Sequence, residues 1–299
     1  MKISHLLRGT ICAASAIALA ACGTPGIGVS NPSANAATHM VKFQQIRNAT
    51  IKIDYAGTTF LVDPMLAPKG TYPGFAGTYN SQLRNPLVDL PMSVSEVIRA
   101  DAIIVTHTHL DHWDEAARQG LPKDIPLFTQ DESDAASIRK DGFTNVRVIG
   151  DNTVFNGTRL SRSDGQHGTS QMMASPLGKL LGEASGIVFQ RPGYKTVYVA
   201  GDTIWTPQVE ETIRRYQPEV IILNTGYARV LGFEGAIIMG KEDLYRASRL
   251  APNARVIGTH MESVNHAMHT RKDLRDYIAE KSMDPQRVLV PADGESYSF

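Results

Sequence analysis

Residues 103 to 114 read IIVTHTHLDHWD and place three histidines and two aspartates in the eight positions from His107 to Asp114, in a chain with nine histidines among 299 residues. Neutral imidazole nitrogens and carboxylate oxygens are ligands for Zn²⁺, Mn²⁺ or Fe. His107 and His109 are two apart, so a strand running into a loop can aim both the same way. Asp111 and His112 start the next turn and reach a neighbouring point. One group of nitrogens beside one of nitrogen plus carboxylate suits two adjacent cations better than one. A solvated, histidine-rich loop is the bland alternative; it does not explain why the cluster follows a buried apolar run.

The elements that must position these groups alternate between strand and helix. VKFQQIRNATIKIDYAGTTFLVDP reads as three short strands with turns at Arg47-Asn48 and Ala56-Gly57. Residues 70–80 form a Gly/Tyr-rich loop. SVSEVIRA is a short helix capped by Ser93 or Ser95, and DEAARQG and DESDAASIRKDG are helices with glycine stops. Strands are expected at DAIIVT, VRVIG, TRLSRSDG, GIVFQRP, KTVYVAG, EVIILNTG, RVIGTH and, last, RVLVPADG. Helices are expected at PQVEETIRRYQP, where Pro207 suits the first turn, at KEDLYRASRLAP and at TRKDLRDYIAEKS. The pattern suggests an α/β (α+β) chain of sheets covered by helices. Polar residues recur just after buried strands: His107 after AIIVT, Asp202 after VYVAG, Asn224 after VIIL and His260 after VIGT. Strand ends are where such proteins assemble sites, because the sheet fixes the side chains and the loops leave room for a ligand.

Composition narrows the partners. Thirty Lys+Arg against thirty Asp+Glu leave no net charge, so the basic footprint of a nucleic-acid binder is missing. Lys2 and Arg8 followed by ICAASAIALAAC read as an export signal over 1–21, too short to span a bilayer. Leu19-Ala20-Ala21-Cys22 resembles the bacterial lipobox, which implies a lipid on Cys22 and a protein anchored in the cell envelope, facing the periplasm. An ordinary cut after Ala34-Asn35-Ala36 is the alternative. Residues 22–40 are uncharged until His39, rich in Gly, Pro, Ser, Asn and Ala, and read as a tether to one domain over 41–299. Both cysteines, Cys12 and Cys22, lie in the signal. Any metal site in the body must therefore use nitrogen and oxygen.

His-x-His-x-Asp-His after an apolar strand resembles the motif of the metallo-β-lactamase superfamily. The later pieces follow in order: His167 in DGQHG, Asp202 in a Gly-Asp-Thr context, and His260 after a late strand. The resemblance covers about 41–299. It implies a four-layer αβ/βα sandwich, two mixed sheets flanked by helices. It also implies two divalent ions, zinc first with manganese or iron as alternatives: His107, His109 and His167 on one, Asp111, His112 and His260 on the other, Asp202 bridging. Asp111 and Asp202 are then the carboxylates of catalysis, which uses a hydroxide shared by the cations. His167 could instead be a loop histidine and Asp202 a turn residue. His260 competes with His266 and His269, and the strand end favours it.

Asp63, Asp114 and His266 are candidates for supporting the ligands or touching substrate. Asp63 could equally be a turn residue before Pro64, and Asp114 a helix cap. Tyr72, Tyr79, Trp113, Trp205 and Tyr227 could line a pocket or simply pack. FLVDP resembles the branch with L-ascorbate-6-phosphate lactonase and N-acylphosphatidylethanolamine-hydrolysing phospholipase D. That implies a hydrolase acting on an ester, lactone or phosphodiester of a small-molecule or lipid-derived substrate. The alternatives are a metal- or ligand-binding envelope lipoprotein without catalysis, a structural envelope protein and, as minor options, a β-lactamase or thioesterase. True metallo-β-lactamases lack the bridging aspartate. The sequence leaves the oligomeric state open.

Overall fold

Alternating burial builds the first sheet. In β1 (Val41–Arg47), Val41 and Phe43 are buried and Lys42 is exposed. β2 (Thr50–Tyr55) and β3 (Thr58–Val62) follow antiparallel. The turns between them fall at Asn48 (φ 56°) and at Ala56-Gly57 (φ 54° and 80°), left-handed positions that suit Asn and Gly. The chain is described here from a computed structural model covering residues 39–150 and 152–299, so the export signal, the lipobox and nearly all of the tether lie outside the described residues.

After β3 the sheet turns parallel. Helix α1 (Val94–Val97) leads into β4 (Ala102–Val105), helix α2 (Glu115–Gly120) into β5 (Leu127–Thr129), and helix α3 (Glu132–Lys140) into β6 (Val146–Val148). All four residues of β4 are buried because both faces of the sheet are covered. Ala102 and Ile104 face the core between the sheets, and Ile103 and Val105 face the helices with Val97, Ala117 and Ile138.

The second sheet repeats this plan. β7 (Thr153–Phe155) and β8 (Thr158–Asp164) precede two short helices, α4 (Ser170–Met173) and α5 (Pro176–Leu181). β9 (Ser185–Gln190) and β10 (Val197–Val199) complete its antiparallel half. Helix α6 (Pro207–Tyr216), β11 (Val220–Asn224), helix α7 (Lys241–Leu250), β12 (Arg255–Thr259), helix α8 (Arg271–Glu280) and β13 (Val288–Leu289) form the parallel half and its cover. The result is two seven-stranded mixed sheets, face to face, with helices outside: the expected four-layer sandwich. Among the described residues no helix is long and apolar enough to cross a membrane.

The local expectations hold where periodicity is long. Ser93 opens α1 through a reciprocal bond with Glu96, and Pro207 occupies the first turn of α6. They fail where elements are short. β5 and β7 have three residues each, too few to show alternation. Helices α4 and α5 escaped notice because four and six residues carry little periodic signal. RVLVPADG is not the last strand. Only Val288–Leu289 pair there, and the chain then crosses to the first sheet as β14 (Ser296–Ser298), antiparallel to β1.

Candidate metal centre

The ends of four strands bring the chemistry together. His107, His109, Asp111 and His112 follow β4, Asp202 follows β10, Asn224 ends β11 and His260 follows β12. His167 comes from the loop after β8. Gly201 lets the chain turn before Asp202: at φ 70° its hydrogen lies where a Cβ would sit 2.5 Å from the Ser185 carbonyl oxygen.

Three sets of donor atoms converge: His107, His109 and His167; His107, His112 and Asp202; Asp111, His112 and His260. These are the seven residues singled out from the sequence. Asp202 Oδ2 is the hub, at 3.1 Å from His112 Nε2, 3.6 Å from His260 Nε2, 3.7 Å from His167 Nε2 and 4.0 Å from His107 Nε2. Its other oxygen accepts a 2.6 Å bond from Asn224 Nδ2, which fixes the carboxylate plane. Asn224 is oriented in turn by Thr259, whose hydroxyl donates to Asn224 Oδ1 at 2.8 Å.

Hydrogen bonds behind the rings set the tautomers. His112 Nδ1–H donates to Asp63 Oδ2 at 2.9 Å and His167 Nδ1–H to the Ile237 carbonyl at 2.9 Å, so both turn Nε2 toward the cluster. Thr106 Oγ1–H donates to Asp63 Oδ2 at 2.8 Å, which leaves a Thr106 lone pair for His107 Nδ1–H at 3.1 Å. Asp63 therefore steadies His112 directly and His107 through Thr106. His109 is reversed: its Nε2–H donates to the Leu180 carbonyl at 2.9 Å, and its Nδ1 faces the cluster.

These donors fit metal ions. Lone pairs point at each other across 3.0 Å between His107 Nε2 and His109 Nδ1, and His112 Nε2 and His260 Nε2 stand 3.1 Å apart, a spacing that two ligands of one ion would also show. Donors held tetrahedrally about 2.0 Å from a zinc ion lie about 3.3 Å apart. Without a cation the first of these contacts repels. Burial drives His107 well below the usual histidine range, aided by His112 and His109, and burial brings His167 down to about 4. Both are thus neutral near pH 7, as ligands must be. Burial would push Asp111 and Asp202 up, but His112 and His260 beside them hold both carboxyls well below the usual range. Burial would lower His112, yet Asp202, Asp63 and Asp111 outweigh it and hold its proton on. Three carboxylates around one imidazole are asking for positive charge.

The remaining candidates separate. Asp114 is fully engaged as a structural group: Oδ1 caps α2 through Ala117 N–H at 2.8 Å, and Oδ2 accepts from Leu66 and Ala67 N–H. His269 stacks on Tyr227, 4.8 Å between ring centres, away from the donors. His266 lines a cavity of about 220 Å³ that opens onto His109, Asp111, His167 and Asp202.

None of the five flagged tyrosines and tryptophans lines that cavity; Phe75 does, with Leu110, Leu177, Leu181, Val230 and Ile237. Trp113 packs on Phe143, and Trp205 donates to Glu210. Asn48 also escaped the sequence reading, which saw only a turn. Fully buried, its Nδ2–H₂ donates to the Asp111 carbonyl at 3.1 Å, and its own carbonyl accepts from His260 N–H at 3.1 Å. A left-handed asparagine is an ordinary hairpin signal, so nothing in the sequence marked this one.

Two sheets, two flanking helical layers and a His/Asp cluster at the strand ends define a metallo-hydrolase of the β-lactamase type. A family model for the beta-lactamase superfamily domain matches residues 58–261, and the chain belongs to that family. It is 46% identical to the UPF0173 protein YddR of Bacillus subtilis, over 85% of this chain and 98% of that one. It is 26% identical to a UPF0173 metal-dependent hydrolase of Methanosphaerula palustris, over 75% of this chain and 97% of that one. Two of the similar solved structures are hydrolases or possible hydrolases. The isothiocyanate hydrolase from Delia radicum gut bacteria is 48% identical, with a TM-score of 0.84, over 86% of this chain and 99% of that one. A possible metal-dependent hydrolase from Veillonella parvula is 47% identical, with a TM-score of 0.85, over the same shares. The chain is a metal-dependent hydrolase of the metallo-β-lactamase fold.

Proposed function

We propose that the cluster holds two divalent ions, zinc first, with Asp202 shared between them, and that the enzyme hydrolyses small, uncharged, apolar-substituted substrates of the isothiocyanate class. The observation that carries the substrate reading is the cavity: among the described residues no lysine or arginine lines it, and apart from the His/Asp cluster, His266 and Thr78 its walls are Phe75 and aliphatic side chains. A phosphodiester or phosphorylated lactone would meet no cationic side chain there, which disfavours both. At about 220 Å³ the cavity is below the range that holds drug-sized ligands, ~300–1,000 Å³. The bulk of a lipid would have to lie outside it. The similar structure named an isothiocyanate hydrolase gives the class its name.

The metals, when bound, supply Lewis acidity and bring the pKa of water down to about 7. Everything else falls to the chain. Asp63 and the Ile237 carbonyl keep His112 and His167 in the ligating tautomer. Asn224 keeps Asp202 turned so that one oxygen faces all four imidazoles. Phe75, Leu177 and Leu181 orient the apolar substituent and exclude bulk water. The reaction is R–N=C=S + H₂O → R–NH₂ + O=C=S. Water oxygen adds to the central carbon, the C=N pair moves to nitrogen and takes a proton, and the C–N bond of the thiocarbamic acid breaks as nitrogen takes the second.

A neutral ester or lactone fits the same cavity and is the second reading. Zinc-loaded protein incubated with allyl isothiocyanate should release allylamine and carbonyl sulfide. Turnover of esters but not of isothiocyanates would replace the first reading with the second. Turnover of neither would sink both. Hydrolase relatives leave the non-catalytic lipoprotein reading without support. Export with a lipid on Cys22 stays a proposal supported by the leader sequence; fatty-acid labelling lost in Cys22→Ser would support it, and unchanged labelling would overturn it.

A further inference from the structure

His266 is a buried, polar, unengaged side chain facing the substrate space. It is 6% exposed and lines the cavity with Asp111, His109 and Asp202, outside every convergent donor set. Thr78, the other polar lining residue outside the cluster, is used up: its hydroxyl donates to the Phe75 carbonyl and accepts from Asn265 Nδ2–H₂. Among the described residues His266 has no side-chain hydrogen-bond partner, and its Nδ1 is buried without one.

The ring is held where it is. Its edge packs on Phe75, 5.0 Å between centres at 76°. On one side Asn265 accepts from Phe75 N–H and Asn85 Nδ2–H₂ and donates to the Tyr79 carbonyl. On the other, the His266 carbonyl accepts from Arg229 N–H at 3.1 Å. A histidine fixed this firmly, with nothing to bond, leaves hydrogen-bonding capacity unspent in a site that has to bind a polar group. Burial brings the ring down to about 4, so it carries one proton near neutral pH. A buried N–H without an acceptor is rarer than a buried lone pair without a donor. That places the proton on Nε2 and leaves Nδ1 bare.

We propose that His266 is a substrate-contacting catalytic residue whose Nε2–H donates to the N–C–S unit of an isothiocyanate. Resting on the substrate reading above, this assigns it the negative charge that develops as water oxygen adds to carbon and the C=N pair moves to nitrogen. His266 keeps its proton throughout; nitrogen takes both protons from water. Preorganised donors of this kind, in a dry cavity, act on the transition state more than on the ground state.

The test compares metal-loaded, full-chain wild type with His266→Leu and His266→Gln, the second keeping an N–H donor. Bound metal per chain should be equal in all three. The kcat/KM for allyl isothiocyanate should fall about a hundredfold in the leucine variant, mainly in kcat, with about tenfold of the loss recovered by glutamine. The Kd of O-ethyl N-allylthiocarbamate, a stable relative of the hydrated adduct, should rise about tenfold in the leucine variant. Equal kcat/KM and equal Kd at equal metal content overturn the proposal. A wild type inert toward isothiocyanates overturns the substrate reading instead, and the thiocarbamate Kd then decides on His266 alone. No thiocarbamate binding by such a wild type overturns both. If the leucine variant does not fold, the imidazole ¹⁵N spectrum of the wild type decides: a shifted His266 Nε2 on adding thiocarbamate supports the contact, and an unmoved one removes it.

Discussion

The floor of the cavity and its wall are built differently. The floor is a set of side chains at the ends of β4, β10 and β12, where buried bonds from Asp63, Thr106, Asn48 and Asn224 hold His112, His107, the Asp111 backbone and Asp202 from behind. The wall is loop and short helix: Phe75 from the 70–80 segment, Leu177 and Leu181 from α5, Val230 and Ile237 from the segment after β11. Its lining includes one leucine largely in water, Leu180, 75% exposed. The two parts touch where His109 donates to the Leu180 carbonyl. A floor that must hold donors within tenths of an ångström needs a rigid support, whereas a wall that sets substrate size can vary at little cost to the chemistry.

The comparison is broken most severely by Asp202→Ala. It removes the oxygen shared by four imidazoles, so elemental analysis should show metal lost and hydrolysis should fall at least about a thousandfold. Unchanged metal content would mean that Asp202 is no ligand.

Acid strikes the floor next. In the metal-free protein His167 and His266 have folded pKa values brought to about 4 by burial, below the ordinary 6.5. The unfolded chain therefore binds more protons between those values. Stability is full above about 6.5 and lost as pH falls toward 4, by up to roughly 1.4 kcal/mol per unit for each group. Urea unfolding of metal-free protein at pH 7 and 5 should show the loss, with a shallower slope in His266→Leu. Equal slopes would mean that His266 is not held neutral.

Asp63→Asn keeps the shape but weakens the acceptor behind His112 and His107. Metal affinity or activity should drop by 10–100-fold, the usual cost of losing such a partner. A metal titration checks it, and an unaffected variant would detach Asp63 from the site.

The wall gives the smallest effect. Phe75→Ala enlarges the cavity and touches none of the convergent donors, so metal content should stay constant. The preference between allyl and benzyl isothiocyanate should shift toward benzyl by several-fold, since apolar pocket changes are worth ~1–3 kcal/mol. A change in metal binding would erase the distinction between floor and wall.

The floor was readable from sequence because its residues are chemically rare and sit at recognisable strand ends. His107 through His112, Asp202 and His260 each follow an apolar run, although Asp202 also read as a turn residue and His260 competed with His266 and His269. His167 and Asp63 needed the family pattern to stand out. Asn48 could not be found, since a hairpin asparagine carries no mark of the Asp111 carbonyl it meets 63 positions away. The wall was missed for the same reason. Leucine, valine and phenylalanine have the same sequence signature in a core as in a substrate cavity.

Sequence alone thus determined the layered plan, the donor types and the exclusion of sulfur ligands, because these follow from periodicity, residue chemistry and the positions of two cysteines. Tertiary structure decided which aspartate serves a histidine and which caps a helix. It also decided that His266 and not His269 lines the cavity over the donors, and that β14 pairs with β1 in the first sheet. These outcomes depend on contacts between distant segments. A residue's type fixes what bonds it can make, but only the packed fold determines which partner arrives.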